Sequence, residues 1–255
     1  MGTSKNSFWR AKCAAMKWRK RSVAALREHC DEASLQASLP PEWIFRGSLM
    51  LLPPKTKLII ATHNQGKLRE LQEILLPLQL DVVSAGELGL PEPEETGDSF
   101  AANALLKAKA AATASGYVAL ADDSGLSVDI LNGDPGIYSA RWAKIDGKTD
   151  FAWAAEKIRT AIIDKGENPQ GAKARFICAL TLYAPQDKIL QVEGHVEGTL
   201  TFPARGEKGF GYDPIFIADQ HKNSGKTFAE ITPQEKNALS HRTQAFAKLL
   251  QKLNG

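Results

Sequence analysis

The chain reads as an α/β protein built on a mixed β-sheet, and two observations predict it. Short apolar runs such as "KLIIA" and "LDVVSA" alternate with amphipathic, helix-forming stretches, the order expected when helices flank a sheet. Further along, "ARFICALTLYA" and "KILQVEGHVEGTLTF" follow one another across the turn-like "PQDK". Long alternating stretches so close in sequence pair antiparallel.

Each element then has its own reason. "KLIIA" is a short apolar run suited to a buried strand. After Gly66, the residues Leu68, Leu71, Ile74 and Leu75 recur on one helical face, and Pro77 stops the helix. "LDVVSA" is a second strand. "SFAANALLKAKAAATASG" is rich in the best helix formers, with Asp98 or Thr96 as N-cap and Gly116 as terminator. "YVALADDSGLSVDIL" reads as strand, tight polar turn, strand, and "NGDPGIYSARWA" as a loop punctuated by Gly and Pro. "TDFAWAAEKIRTAIID" is a helix begun by Thr149 or Asp150. "GEKGFGYDPIFIA" is a glycine-rich loop running into a strand. "TPQEKNALSHRTQAFAKLLQKL" closes the chain as one helix, its start marked by a capping box of Thr232 and Glu235 around Pro233.

Charge divides the chain in two. The net charge of +3 hides ten Lys/Arg against four Asp/Glu in residues 1–55, and 22 against 25 in the remainder. Residues 1–55 are therefore read as a basic extension, disordered or loosely attached, and 56–255 as the functional domain. The extension lacks the apolar centre of a secretory signal. A transit peptide or an arm for an anionic partner are alternatives, as is a start at Met50. The mildly acidic body does not look like a nucleic-acid binder, and no apolar run approaches the roughly 20 residues of a membrane span. Three cysteines at positions 13, 30 and 178 form neither a disulfide framework nor a metal spacing, which fits a reducing, cytoplasmic setting.

Four polar loops carry the candidate chemistry. "THNQGK", residues 62–67, joins a strand to a helix start, where backbone N–H groups favour an anion. It departs from the usual phosphate loop, having Ala61 in place of the first glycine and Leu68 after the lysine. "PEPEETGDSF" crowds Glu92, Glu94, Glu95 and Asp98 at a helix N-terminus. In "LADDSGL" the adjacent Asp122 and Asp123 point to opposite faces of a strand, so at least one faces a cleft or the interior and needs a partner. "GFGYDP" offers Phe210 and Tyr212 as flat faces for a base, while "EKNALSHR" supplies Lys236, His241 and Arg242. Lys236 and Arg242 are six apart, and one continuous helix would splay them. Two basic groups, several acids and a base platform together answer the needs of a nucleotide with magnesium.

"ATHNQGKLRE", "EETGDSFAANALLKA", "ALADDSGLSVDIL", "PGIYSARWA", "GFGYDPIF" and "EKNALSHR" occur in the order found in the inosine triphosphate pyrophosphatase family, which the chain resembles over about residues 57–253. The resemblance implies an elongated mixed sheet with two lobes around a nucleotide cleft. It further implies Mg²⁺-dependent hydrolysis of ITP, dITP and XTP to monophosphate and pyrophosphate by a homodimer. By motif, Thr62, His63, Asn64, Gln65, Gly66 and Lys67 would hold the phosphates. Glu94 and Asp123 would bind magnesium, with Asp123 also the proton acceptor. Ser124, Phe210, Gly211, Tyr212, Asp213, Lys236, His241 and Arg242 would complete the substrate site. His63 stands where glycine is commonest, so a positive φ there would strain it. A pyrophosphatase acting on other nucleotides and a nucleotide binder without hydrolysis are the competing readings.

Overall fold

A computed structural model describes residues 55–184 and 188–254. The expectations for residues 1–54 and for the tip of the "PQDK" turn lie outside the described residues.

Strand β1 (Lys57–Ile60) is apolar and buried from Leu58 onward. Helix α1 (Gln65–Leu75) buries Leu68, Leu71, Ile74 and Leu75, then tightens into a 3₁₀ turn over Leu76–Leu78 that contains Pro77. Strand β2 (Asp81–Ser84) lies parallel to β1. Helix α2 (Phe100–Ser115) is capped by Ser99, whose hydroxyl accepts the Ala102 N–H. The cap is thus neither Asp98 nor Thr96, because the extended residue immediately before the helix is Ser99. Gly116 ends α2 at φ +73°, a left-handed conformation that suits glycine.

Strand β3 (Val118–Val128) corrects the strand–turn–strand expectation, being a single strand of 11 residues. Its antiparallel register with the later strand β6 (Lys173–Ala184) runs unbroken through Asp122, Asp123, Ser124 and Gly125. Ladder pairing along the whole length overrides the local turn signal. Gly125 serves close approach instead: a Cβ there would collide with the Gly136 carbonyl and the Ser139 hydroxyl. Beyond β3 come the short helix α3 (Ser139–Trp142), the two-residue strands β4 (Lys144–Ile145) and β5 (Lys148–Thr149), and helix α4 (Phe151–Asp164), capped by Asp150.

Strands β6 (Lys173–Ala184) and β7 (Lys188–Leu200) form the expected antiparallel pair, and β8 (Phe216–Ala218) pairs antiparallel with β7. The six-stranded order is β2-β1-β3-β6-β7-β8, parallel at β2-β1-β3 and antiparallel thereafter, so the sheet is mixed as read. Two of the apolar clusters of its core bracket the middle of β3. One gathers Ile59, Ala119, Ala121 and Ala108, Ala111 and Ala112 of α2; the other gathers Leu126, Val128, Phe176 and Phe216. Asp122, Asp123 and Ser124 occupy the stretch of β3 between them.

The closing helix is also corrected. It is two helices, α5 (Pro233–Leu239) and α6 (His241–Asn254), separated at Ser240, which is extended with ψ 153°. Thr232 and Glu235 form the expected capping box of α5. Ser240 restarts the chain as a cap, its hydroxyl accepting the Thr243 N–H at 3.2 Å.

Candidate active site

The break at Ser240 places side chains that a continuous helix would separate. Lys236 Nζ donates to Glu70 Oε1 at 2.9 Å, and Arg242 Nη1 donates to Glu70 Oε2. Glu70, on α1, therefore joins the two basic groups of the C-terminal helices. Lys236 Nζ also donates to Asp213 Oδ2 at 2.6 Å and lies 4.6 Å from the centre of the Phe210 ring. Arg242 Nη2 reaches Asp122 Oδ2 at 2.9 Å and the Ser124 hydroxyl at 3.1 Å. Lys67 Nζ stands 3.4 Å from Asp122 Oδ2.

Asp123 faces a different set. Its Oδ1 accepts from Lys107 Nζ at 3.0 Å and its Oδ2 from the Asn103 amide at 3.2 Å. Lys107 Nζ also donates to Glu95 Oε1 at 2.8 Å. Arg141, on α3, holds the same loop from the other side, donating to the Glu95 carbonyl at 2.7 Å.

These environments push the two aspartates apart. Burial alone would raise Asp122, but Lys67 and Arg242 outweigh it and hold the carboxyl far below its ordinary range. Burial raises Asp123 above its ordinary value, against the pull of Lys107 and Lys67 and aided by the charge of Glu95. Lys107 rises to about 12: burial opposes its charge, and Asp123, Asp122 and Glu95 overcome that cost. Burial also raises Asp213 despite Lys236; at Glu70 burial likewise pushes upward, but Arg242 and Lys236 outweigh it and hold the carboxyl below its ordinary value.

The remaining residues singled out in the sequence are distributed as follows. Thr62 is buried and accepts the Asn64 N–H at 3.2 Å. Asn64 caps α1, its side-chain oxygen accepting from Gly66 N and Lys67 N at 2.9 and 3.1 Å. Two amides expected to face phosphate are thus held by Asn64. Gln65 is exposed at the first position of α1. His63 is not among the positive-φ residues, so the expected strain is absent; its Nε2 meets the Leu90 carbonyl at 2.9 Å. Gly66 lies under the Phe210 ring, which a Cβ would approach to 2.7 Å. Gly211 takes φ +68° within the loop that carries Phe210.

Tyr212 is not a base platform. Its ring is 3 % exposed, meets Phe151 edge-on, and its hydroxyl donates to the Ser139 carbonyl at 2.9 Å. The ring belongs to the apolar cluster that holds Phe176 and Phe216, so its area is spent on burial. His241 is likewise internal, stacked on Phe176 with centroids 5.0 Å apart, and its Nδ1 has no hydrogen-bond partner.

Glu94 is exposed, whereas its neighbour Glu95 shares one ammonium with Asp123. Among the described residues no group of three or more His, Cys, Asp or Glu converges. Two carboxylates that already share a cation, with no third protein ligand, fit a hard divalent ion whose other ligands come from water and phosphate. Sequence reasoning missed Glu70, Asn103, Lys107 and Arg141. The signal was present for two of them, since Asn103 and Lys107 interrupt the alanine stripe of α2 at i, i+4.

A mixed sheet flanked by helices, whose central strand presents buried acids to Lys67, Lys107 and Arg242 while Lys236 shares Glu70 with Arg242, defines a protein equipped for a polyphosphate anion. The chain belongs to the Ham1 family, whose model matches residues 58–252. It is 53 % identical over 194 residues to a dITP/XTP pyrophosphatase of Zymomonas mobilis, covering 76 % of this chain and 90 % of that one. To a protein of the same name from Brucella melitensis it is 47 % identical over 213 residues, 80 % and 96 % of the two chains. Among solved structures, a HAM1 protein from Coxiella burnetii superposes with a TM-score of 0.67 at 38 % identity, covering 77 % of this chain and 99 % of that one. A nucleoside-triphosphatase / dITP/XTP pyrophosphatase from Mycobacterium abscessus gives 0.58 at 39 % identity, with 76 % and 99 % covered. Among the described residues no helix is long and apolar enough to cross a membrane.

Proposed function

We propose that this chain hydrolyses the non-standard purine nucleoside triphosphates ITP, dITP and XTP to monophosphate and pyrophosphate, clearing them before they enter DNA or RNA. The observation that carries the reading is the Lys107 ammonium, 2.8 Å from Glu95 and 3.0 Å from Asp123. Two acids, one from the loop before α2 and one from β3, share one cation beside a cluster of basic groups. The relatives' names supply the substrate class.

Asp123, with Glu95 or Glu94 from the acidic loop, would hold Mg²⁺ together with the substrate's phosphates. When bound, the ion would supply charge neutralisation and a more acidic water. Asp123 is the proton acceptor, since its environment raises its proton affinity while Asp122 is held ionised. Lys67, at the start of α1, stabilises charge developing on the phosphate oxygens. The Phe210 ring and Lys236 form one wall of the nucleotide site.

Base choice has a physical route at the other end. The 6-oxo group of hypoxanthine accepts hydrogen bonds where adenine's amino group donates them. A site with buried donors leaves those donors unpaired against adenine, which can discriminate by about 10⁴-fold or more. Arg242, whose Nε is buried without a partner, belongs to such a donor set. The protein acts in the cytoplasm as a homodimer, which sedimentation would test. The direct assay is pyrophosphate release from ITP with Mg²⁺, lost on chelation and restored by added Mg²⁺. Release of orthophosphate instead would reject the reading.

A further inference from the structure

Asn103 is fully buried on the inner face of α2, and both ends of its side chain are engaged. Its oxygen accepts the Gly97 N–H at 2.8 Å, and its nitrogen donates to Asp123 Oδ2 at 3.2 Å. One neutral amide thus ties the acidic loop to the aspartate of β3. The task needs an acceptor and a donor on one short planar head, which Asn offers and Asp, when ionised, does not. One turn along the same helix, Lys107 makes a parallel link between Glu95 and the other oxygen of Asp123. With both oxygens held, the Asp123 carboxylate has a fixed orientation. The loop is fitted as closely, since a Cβ on Gly97 would lie 2.7 Å from Asn103 Oδ1 and 2.8 Å from Ala102 Cβ.

We propose that Asn103 is a positioning residue: it sets the acidic loop in register with Asp123, so that the loop's carboxylates and the proton acceptor hold a fixed separation before substrate arrives. This rests on the functional reading above. Lys107 carries a charge with which an incoming cation competes. Asn103 is neutral and hydrogen-bonded on the far oxygen, so its link persists when the site fills.

The test uses two variants of the full chain. Asn103→Leu keeps the volume and removes both hydrogen bonds. Gly97→Ala drives a methyl against the same amide from the loop side without changing any residue of α2, so it decides the matter if the first variant fails to fold. In both, hydrogen exchange at residue 97 is expected to speed up by about tenfold or more, as a protecting bond is lost. For ITP, kcat is expected to fall on the order of 10²-fold with KM nearly unchanged, the scale of a roughly 1 Å misplacement. Folded variants with wild-type exchange and wild-type kcat would overturn the proposal, and so would a raised KM with unchanged kcat. A wild-type chain that releases no pyrophosphate sinks the functional reading and the catalytic half of the proposal with it. Exchange at residue 97, read without substrate, still decides whether Asn103 holds the loop.

Discussion

Asp122 and Asp123 are consecutive on β3 and buried, yet they meet different partners: Asp122 faces Arg242 and Lys67, and Asp123 faces Lys107 and Asn103. Strand alternation sends neighbouring side chains to opposite faces. The same two-residue motif thereby supplies a fixed counter-charge on one face and the proposed proton acceptor on the other.

Their substitutions should therefore separate stability from activity. Asp122→Ala leaves the buried Arg242 guanidinium short of a counter-charge and is expected to cost about 3–5 kcal/mol, read from the urea midpoint. Asp123→Asn is expected to lower ITP turnover by about 10²- to 10⁴-fold while the protein stays folded. A near-normal rate for folded Asp123→Asn would remove it as proton acceptor.

Glu70 is the acid that brings Lys236 and Arg242 together, although they stand on different helices. Glu70→Gln keeps the shape and removes the charge, loosening both cations. KM for ITP is expected to rise about tenfold, or ~1.4 kcal/mol of binding, with a smaller change in kcat. Unchanged KM would mean that the two cations hold their places without it.

His241 gives a pH signature. Burial, with Arg242 and Lys236 nearby, lowers its pKa well below the ordinary 6.5. The unfolded chain therefore takes up a proton on this imidazole below about pH 6.5 while the folded chain does not, and stability falls with falling pH from there. The slope approaches about 1.4 kcal/mol per pH unit. His241→Phe keeps a ring against Phe176 and removes the titration. Its stability is expected to vary less with pH between about 6.5 and 5 than that of the wild type. Parallel pH curves for the two proteins would contradict this.

Gly194, on β7, permits the first turn of α6 to lie on the sheet, because a Cβ there would collide with Ala245 N and the His241 carbonyl. Gly194→Ala is expected to cost about 1–3 kcal/mol and to raise KM for ITP, since Arg242 moves with that turn. Thermal unfolding and steady-state kinetics read the two effects.

Much of this arrangement was legible in the sequence. A one-sided apolar pattern located α1, helix-forming composition located α2, an N-cap start located α4, and the paired alternating stretches located β6 and β7. The misreadings share one cause, which is tertiary context overriding local signals. "DDSG" carries turn residues, but pairing with β6 keeps it straight. "NALSHR" continues a helical pattern, but Ser240 adopts an extended conformation that delivers Lys236 and Arg242 to Glu70. Tyr212 looks like a binding platform beside glycines, but its ring completes the core and its hydroxyl is satisfied by Ser139. Glu70 and Lys107 were hidden because each reads as an ordinary surface charge until the partner loops are folded against it.

Steady-state release of pyrophosphate from a panel of ITP, dITP, XTP, ATP, GTP and dTTP, with and without Mg²⁺, tests the central claim most directly. The expected result is one pyrophosphate per monophosphate from ITP, dITP and XTP only in the presence of Mg²⁺, with the other nucleotides turned over far more slowly. Equal turnover of ATP or dTTP, or release of orthophosphate from any of them, would contradict the account.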